Sequence, residues 1–265
     1  MASSGSQILD DILARTRADL ELRRASVSLE SLHQRAASRS PARSLAKALR
    51  KPGRVTCISE VKRRSPSAGW IRENADAVAI AQAYEAAGAA AISVLTDGPF
   101  FGGTLDDLSR VKAAVGLPIL RKDFIVDPFQ VIEARAAGAD AILLIVAALS
   151  DDSMRGLLLL AEAQGMDVLV EAHDEEEVVR ALAVGAEIVG INHRDLRTFT
   201  MDMDLALRMR PRVPAERIIV AESGLKTPAD VARMKAGEID AILVGEGLMR
   251  QPDPGAALKE LLAAA

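Results

Sequence analysis

The chain has 265 residues, 49% of them hydrophobic and 26% charged, with 33 Lys+Arg against 37 Asp+Glu and a formal net charge of −4. Charges of both signs are mixed throughout, leaving no extended basic footprint for nucleic acid or an anionic membrane, and the single cysteine, Cys57, has no intramolecular disulfide partner. The Met-Ala-Ser-Ser-Gly-Ser start lacks the features of a secretory signal, and the apolar stretch Ala139 to Leu149 is interrupted by Asp140 and too short for a membrane span, so a reducing cytoplasm is the expected compartment.

Residues 1–50 are expected to form a helical extension. Ile8-Leu-Asp-Asp-Ile-Leu and the Arg/Glu-rich residues after it have helical spacing, Ser28 to Ala36 continues it, and Ser44 to Leu49 adds a short helix. Two placements fit: a cap closing the bottom of the following unit, or a cover over its mouth.

From residue 51 to 265 short apolar runs recur: Val55-Thr-Cys-Ile-Ser59, Ala91-Ile-Ser-Val-Leu95, Pro118-Ile-Leu120, Ala141-Ile-Leu-Leu-Ile-Val146, Val168-Leu-Val170, Ile188-Val-Gly-Ile191, Ile218-Ile-Val-Ala221 and Ala241-Ile-Leu-Val244. Neighbouring runs lie roughly 20 to 35 residues apart, room for the crossover that parallel strands need. Their continuous apolarity predicts burial on both faces. The intervening segments have helical spacing and glycine stops: Asp76 to Ala87 before Gly88, Pro128 to Ala137 before Gly138, Glu175 to Val184 before Gly185, and Pro228 to Ala236 before Gly237. Asp127-Pro128 and Thr227-Pro228 read as an N-cap followed by proline at the first helical position. Eight β-runs alternating with helices predict an α/β fold, a (β/α)8 TIM barrel with an N-terminal helical extension, forming one structural domain overall. An open doubly wound sheet is the structural alternative.

In such a barrel chemistry belongs at the C-terminal strand ends. Run 1 ends in Glu60-Val-Lys62-Arg63-Arg64-Ser65-Pro-Ser67, run 3 in Arg121-Lys122-Asp123-Phe124, and run 5 in Glu171-Ala-His173-Asp174. Run 6 ends in Asn192-His193-Arg194-Asp195, run 7 in Glu222-Ser223-Gly224, and run 8 in Gly245-Glu246-Gly247. Only 8 of the 33 basic residues are lysines, yet two stand at these ends, Lys62 and Lys122. An ammonium can donate and recover a proton, whereas a guanidinium stays charged. The small-residue turns after runs 7 and 8 occupy the recurrent phosphate cradle of barrel enzymes. Of the seven aromatic residues, Trp70, Phe100, Phe101, Phe124 and Phe199 fall beside segments following a strand, which predicts a planar apolar pocket on the catalytic side.

These strings resemble the indole-3-glycerol-phosphate synthase family of tryptophan biosynthesis. Ile58-Ser-Glu60-Val-Lys62-Arg-Arg-Ser65-Pro-Ser67 is similar to its strand 1 signature and Leu120-Arg-Lys122-Asp-Phe124-Ile to its strand 3. Leu169-Val-Glu171, Gly190-Ile-Asn192-His-Arg194-Asp-Leu, Ala221-Glu-Ser223-Gly224 and Leu243-Val-Gly245-Glu246 are similar to strands 5 to 8. Trp70 and His193 depart from the family pattern, outside its motif positions.

The resemblance implies a monofunctional carboxy-lyase that closes the ring of 1-(2-carboxyphenylamino)-1-deoxyribulose 5-phosphate, losing CO2 and water. It implies Lys122 as general acid and Glu171 as general base. Lys62 would pair with the substrate carboxylate or share acid duty, Glu60 would position a hydroxyl or shuttle a proton, and Asn192 and Arg194 would hold the sugar hydroxyls. Ser65, Ser223, Gly224, Gly245 and Glu246 would cradle the phosphate, the last three through backbone N–H groups, with Arg63 nearby. Phe101 and Phe124 would wall the ring. No cofactor and no metal is implied; the partner is a small phosphorylated aromatic substrate, with no nucleic acid and no membrane, and the chain is expected to be a monomer or weak homodimer. The competing readings are a Schiff-base aldolase using Lys122, a sugar-phosphate isomerase using paired carboxylates or a thiol, and a barrel without activity. Cys57 inside run 1 argues against the thiol, and the intact strand ends against the last.

Overall fold

The computed structural model describes residues 5–195 and 200–265. Eight parallel strands form the centre: β1 (Thr56–Val61), β2 (Ala91–Leu95), β3 (Ile119–Lys122), β4 (Ala141–Ile145), β5 (Asp167–Ala172), β6 (Ile188–Asn192), β7 (Ile218–Glu222) and β8 (Ala241–Val244). Each pairs with its sequence neighbours, and β1 also pairs with β8, Thr56 opposite Ala241, which closes the barrel and excludes the open sheet. Every strand residue is buried except Thr56, Lys122 and Asp167.

Period-two alternation sorts the strand side chains into two cores. Ile58, Leu120, Leu143, Leu169, Val220 and Leu243 fill the barrel. Cys57, Ile92, Ile142, Val170, Ile219 and Ile242 face outward into the helices. Helices α6 (Pro128–Ala137) and α10 (Pro228–Ala236) have the expected bounds, capped by Asp127, which accepts from the Phe129 N–H, and by a reciprocal Thr227–Asp230 pair. Gly88, Gly138 and Gly185 adopt the left-handed φ of 97°, 103° and 96° that a helix stop requires. Gly237 does not: its φ is −90°, and Glu238 takes the left-handed turn at 57°. A Cβ on Gly237 would lie 2.1 Å from Leu207 Cδ2, so that glycine serves close packing against α9 (Leu205–Met209).

Residues before β1 run over both ends of the barrel. The start of α1 (Gly5–Ser26) borders the C-terminal mouth through Ile8, Leu9 and Ile12. Its end is pinned to α6, Arg23 lying 3.2 Å from Glu133 and Arg24 2.5 Å from Asp127. Helix α2 (Leu29–Ala37) packs along α6 with Leu32 and Ala36 against Phe129, Ile132 and Ala136. The chain then passes beneath the strands: Ser44 and the Ala46 N–H bond Asp167 at the start of β5, and the Arg43 side chain donates to the Val115 and Leu117 carbonyls. Leu45 and Leu49 of α3 (Leu45–Leu49) plug the barrel from below. The segment thus borders the mouth with the start of α1 and meets the lower end of the barrel with α3. No helix of the described residues is long and apolar enough to cross a membrane.

Candidate active site

The alternation that fills the barrel continues one layer higher with polar residues. Ile58 is followed two positions on by Glu60, Leu120 by Lys122, Leu169 by Glu171, Val220 by Glu222, and Ile188 through Gly190 by Asn192. All five side chains line one cavity of ≈ 1080 Å³ at the C-terminal mouth, with Lys62, two positions beyond Glu60. Glycine makes room for two of them. A Cβ on Gly190 would lie 2.3 Å from Glu222 Oε1, and one on Gly245 2.3 Å from Glu60 Oε2.

Lys122 is the hub. Its Nζ forms an ion pair with Glu171 Oε2 and stands 3.4 Å from Glu222 Oε2. Lys62 Nζ lies 2.5 Å from Glu60 Oε2, and the Asn192 amide donates to Glu171 Oε1 at 3.4 Å. Burial alone would push the Lys122 ammonium to lose its proton, but the charges of Glu171, Glu222 and Glu60 outweigh it and raise its pKa. Burial likewise opposes ionisation of Glu171, yet Lys122 and His173 hold its carboxyl well below the usual range. At Glu222 burial and the neighbouring carboxylates prevail over Lys122, pushing the carboxyl up to about 8. At neutral pH the floor thus holds an ammonium, an ionised carboxylate and a protonated carboxyl within reach of one another. Among the described residues no hydrogen-bond donor reaches Glu222 Oε1.

Another part of the cavity lining is built from loops. Ser65, Ser223, Gly224, Gly245 and Glu246 all line it. Ser223 and Gly224 have consecutive left-handed φ of 68° and 79°, a sharp turn that presents main chain to the cavity. His193 Nδ1 lies 3.1 Å from the Ser223 carbonyl. The Glu246 side chain turns along α11 (Glu246–Met249) to Arg250, 2.9 Å away, leaving its backbone to that wall. Arg194 crosses from β6 to the loop after β1, donating to Ser67 Oγ at 3.1 Å, and also lines the cavity.

Two sequence expectations need correction. Arg63 does not reach the cavity. Its guanidinium makes paired hydrogen bonds to Asp107 at 2.6 and 2.9 Å and others to the Ala75 and Gly102 carbonyls, tying the loop after β1 to the loop after β2. The aromatic gathering is narrower than its sequence positions suggest. Phe101 and Phe124 line the cavity with ring centroids 6.0 Å apart, Trp70 stands half exposed with Arg64 5.5 Å over its ring, and Phe100 packs on the interior core. Phe199 lies outside the described residues. Cys57 is buried among the outward-facing strand residues, its thiol pushed up to about 12, away from the cavity.

Two residues noted only as parts of strand-end strings prove central. Glu222 is one, and its parity with Ile218 and Val220 was the available signal. His173 is the other: it sits behind Glu171, with its pKa pushed up to about 9, where the two flanking carboxylates outweigh burial.

A family profile described as indole-3-glycerol phosphate synthase matches residues 9–261. An indole-3-glycerol phosphate synthase of Rhodopirellula baltica is 50% identical over 256 residues, covering 97% of this chain and 99% of the relative. One of Mycobacterium avium is 47% identical over 261 residues, with 98% and 96% covered. Among solved structures, an N-acetylmannosamine-6-phosphate 2-epimerase from Clostridium perfringens superposes with a TM-score of 0.61 over 79% of this chain and 93% of that one, at 15% identity, a likeness of fold alone.

Proposed function

The chain belongs to the indole-3-glycerol phosphate synthase family, and on that premise we propose how its cavity closes the ring of 1-(2-carboxyphenylamino)-1-deoxyribulose 5-phosphate to make indole-3-glycerol phosphate in tryptophan biosynthesis. The observation that carries the reading is Lys122 held as an ammonium against Glu171 and beside Glu222. Such a group is an acid placed where the ribulose carbonyl develops negative charge. Lys122 Nζ–H donates to that oxygen while the ring carbon bearing the carboxylate attacks the carbonyl carbon and forms the new C–C bond. Breaking the bond to CO2 returns its electron pair to the ring. The hydroxyl then leaves as water with a proton from the Lys62 ammonium, whose carboxylate partner has departed as CO2, and Glu171 takes the proton from the neighbouring carbon as the double bond forms.

Lys62, paired with Glu60, faces the same space and suits the substrate carboxylate, with Glu60 left to steer a hydroxyl. Asn192 and Arg194 hold the sugar, and Ser65, Ser223, Gly224, Gly245 and Glu246 hold the phosphate. Arg63 anchors its loop instead. Phe101 and Phe124 flank the aromatic ring. A Schiff-base aldolase needs a neutral lysine, which three carboxylates around Lys122 oppose. The chain acts as a monomer or weak homodimer with residues 1–50 packed on the barrel of 51–265, and a lone buried Cys57 suits a cytoplasmic enzyme. Single-turnover reaction of the carboxyphenylamino substrate, followed by indole fluorescence, should yield product. No indole signal, or a borohydride-trapped adduct on Lys122, overturns the reading.

A further inference from the structure

Glu171 is gripped at both of its oxygens. While Oε2 pairs with Lys122, Oε1 lies 3.0 Å from Nε2 of His173 in an ion-pair contact. The other ring nitrogen, Nδ1, lies 3.1 Å from Glu177 Oε2, in the first turn of α8 (Glu175–Ala183). That same Oε2 accepts the His173 backbone N–H at 2.8 Å, and the Glu177 N–H is fixed at 2.9 Å to the helix cap Asp174. The ring is 2% exposed and does not line the cavity, so it touches no substrate. The charged groups facing it are Glu171 from β5, Glu177 and the cap Asp174 from α8, and, beyond Glu171, Lys122 from β3 and Glu222 from β7. A ring with a carboxylate within 3.1 Å of each nitrogen is favoured in its positively charged form.

We propose that His173, clamped between Glu171 and Glu177, is a positioning residue that keeps the catalytic carboxylate oriented and ionised after Lys122 turns to the substrate. The inference rests on Glu171 being the base. Once Lys122 gives its proton to the carbonyl oxygen, Glu171 Oε2 loses its partner. Without the His173 contact at Oε1, the carboxylate would keep only the long, neutral hydrogen bond from Asn192 there, and, enclosed by protein with no cation beside it, would take up a proton too early. The Glu177–His173 pair lies outside the cavity and is unaffected by substrate, so it supplies a constant charge through the cycle.

The test is the pH dependence of kcat for the full enzyme and its His173→Gln and Glu177→Gln variants, with Glu171→Gln as control and thermal melts alongside. His173→Gln should lower kcat about tenfold while changing KM by no more than about twofold. Its acid limb, which reports the base in the enzyme–substrate complex, should move up by about one pH unit. Glu177→Gln should move the limb the same way by less, and it decides the matter if His173→Gln fails to fold. An acid limb that stays in place in the folded variants, whatever their melting temperatures, overturns the role of His173. Wild-type kcat in Glu171→Gln overturns instead the assignment of the base.

Discussion

Two lysine–carboxylate groups occupy opposite ends of the barrel, and they differ in what surrounds the carboxylates. Below the strands, Lys112 on α5 (Leu105–Ala114) donates to both oxygens of Asp140 at 2.6 Å, and Asp140 also accepts the backbone N–H groups of Arg43 and Ile119 at 2.8 Å each. Its hydrogen-bonding capacity is used within the protein, and the pair fastens the segment before β1 and α5 to the barrel floor. Above the strands, Lys122 faces Glu171 and Glu222 at the rim of a large cavity, with Glu222 Oε1 lacking a donor among the described residues. One end is saturated and holds; the other is left incomplete, so its protons can be passed to a ligand.

Lys122→Met should show the largest effect: a fall in kcat of about a thousandfold, read in single turnover, with a smaller change in melting temperature than at the lower pair. Normal turnover would erase the distinction between the two ends. Lys112→Met should do the reverse, costing about 3 kcal/mol in denaturant unfolding because Asp140 stays buried without its counter-ion, while kcat of the folded fraction is unchanged. A finer probe is Gly190→Ala, whose Cβ must displace the Glu222 carboxyl. It should lower kcat about tenfold with little loss of stability. A larger stability loss than that of Lys112→Met would mean the upper layer is structural after all.

The smallest effect is in stability against pH. Folded-state pKa values of about 8 at Glu222 and about 9 at His173 lie above the ordinary 4.5 and 6.5. A raised value contributes stability that is complete below the unfolded-state pKa and disappears as pH climbs through the folded one. The melting temperature should therefore decline between about pH 4.5 and about 9, by roughly 3 °C per kcal/mol lost, and Glu222→Gln should flatten the part of the decline between about pH 4.5 and about 8, leaving the His173 part between about 6.5 and about 9. A decline identical in Glu222→Gln would place its origin elsewhere.

The barrel was readable because its strands are apolar on both faces and its helices carry proline starts and glycine stops. Strand ends were harder. The run Pro118 to Leu120 stops short of β3, which continues through Arg121 and Lys122, and Val168 to Val170 stops short of β5, which includes Glu171 and Ala172. Hydrophobicity ends one layer before the strand does because the next inward layer is the polar lining of the cavity. Lys122 and Glu171 were found by their residue type at a strand end, and Glu222, of the same type and parity, needed the count of alternation to be carried through. The partners of buried arginines left no trace, near or far in sequence: Arg63 binds Asp107, and the wholly buried Arg121 binds Asp123, Glu133 and the Gln130 carbonyl. Nothing local distinguishes such arginines from one that meets a phosphate. Trp70 shows the same limit, since following a strand does not determine which way a side chain points.

The cavity takes one wall from Ile8, Leu9 and Ile12 of α1 and another from Ala256, Ala257 and Leu261 of α12 (Pro254–Leu261). Ribosomes release chains from the amino end, so α1 emerges long before the wall it will share a pocket with, and the β1–β8 seam must wait as well. Until then Lys122 and Glu171 can already exist on β3 and β5, on either side of β4, but with no enclosure to dry them. A nascent chain is thus spared a half-built site able to act on sugar phosphates prematurely, and activity arrives together with the completed fold.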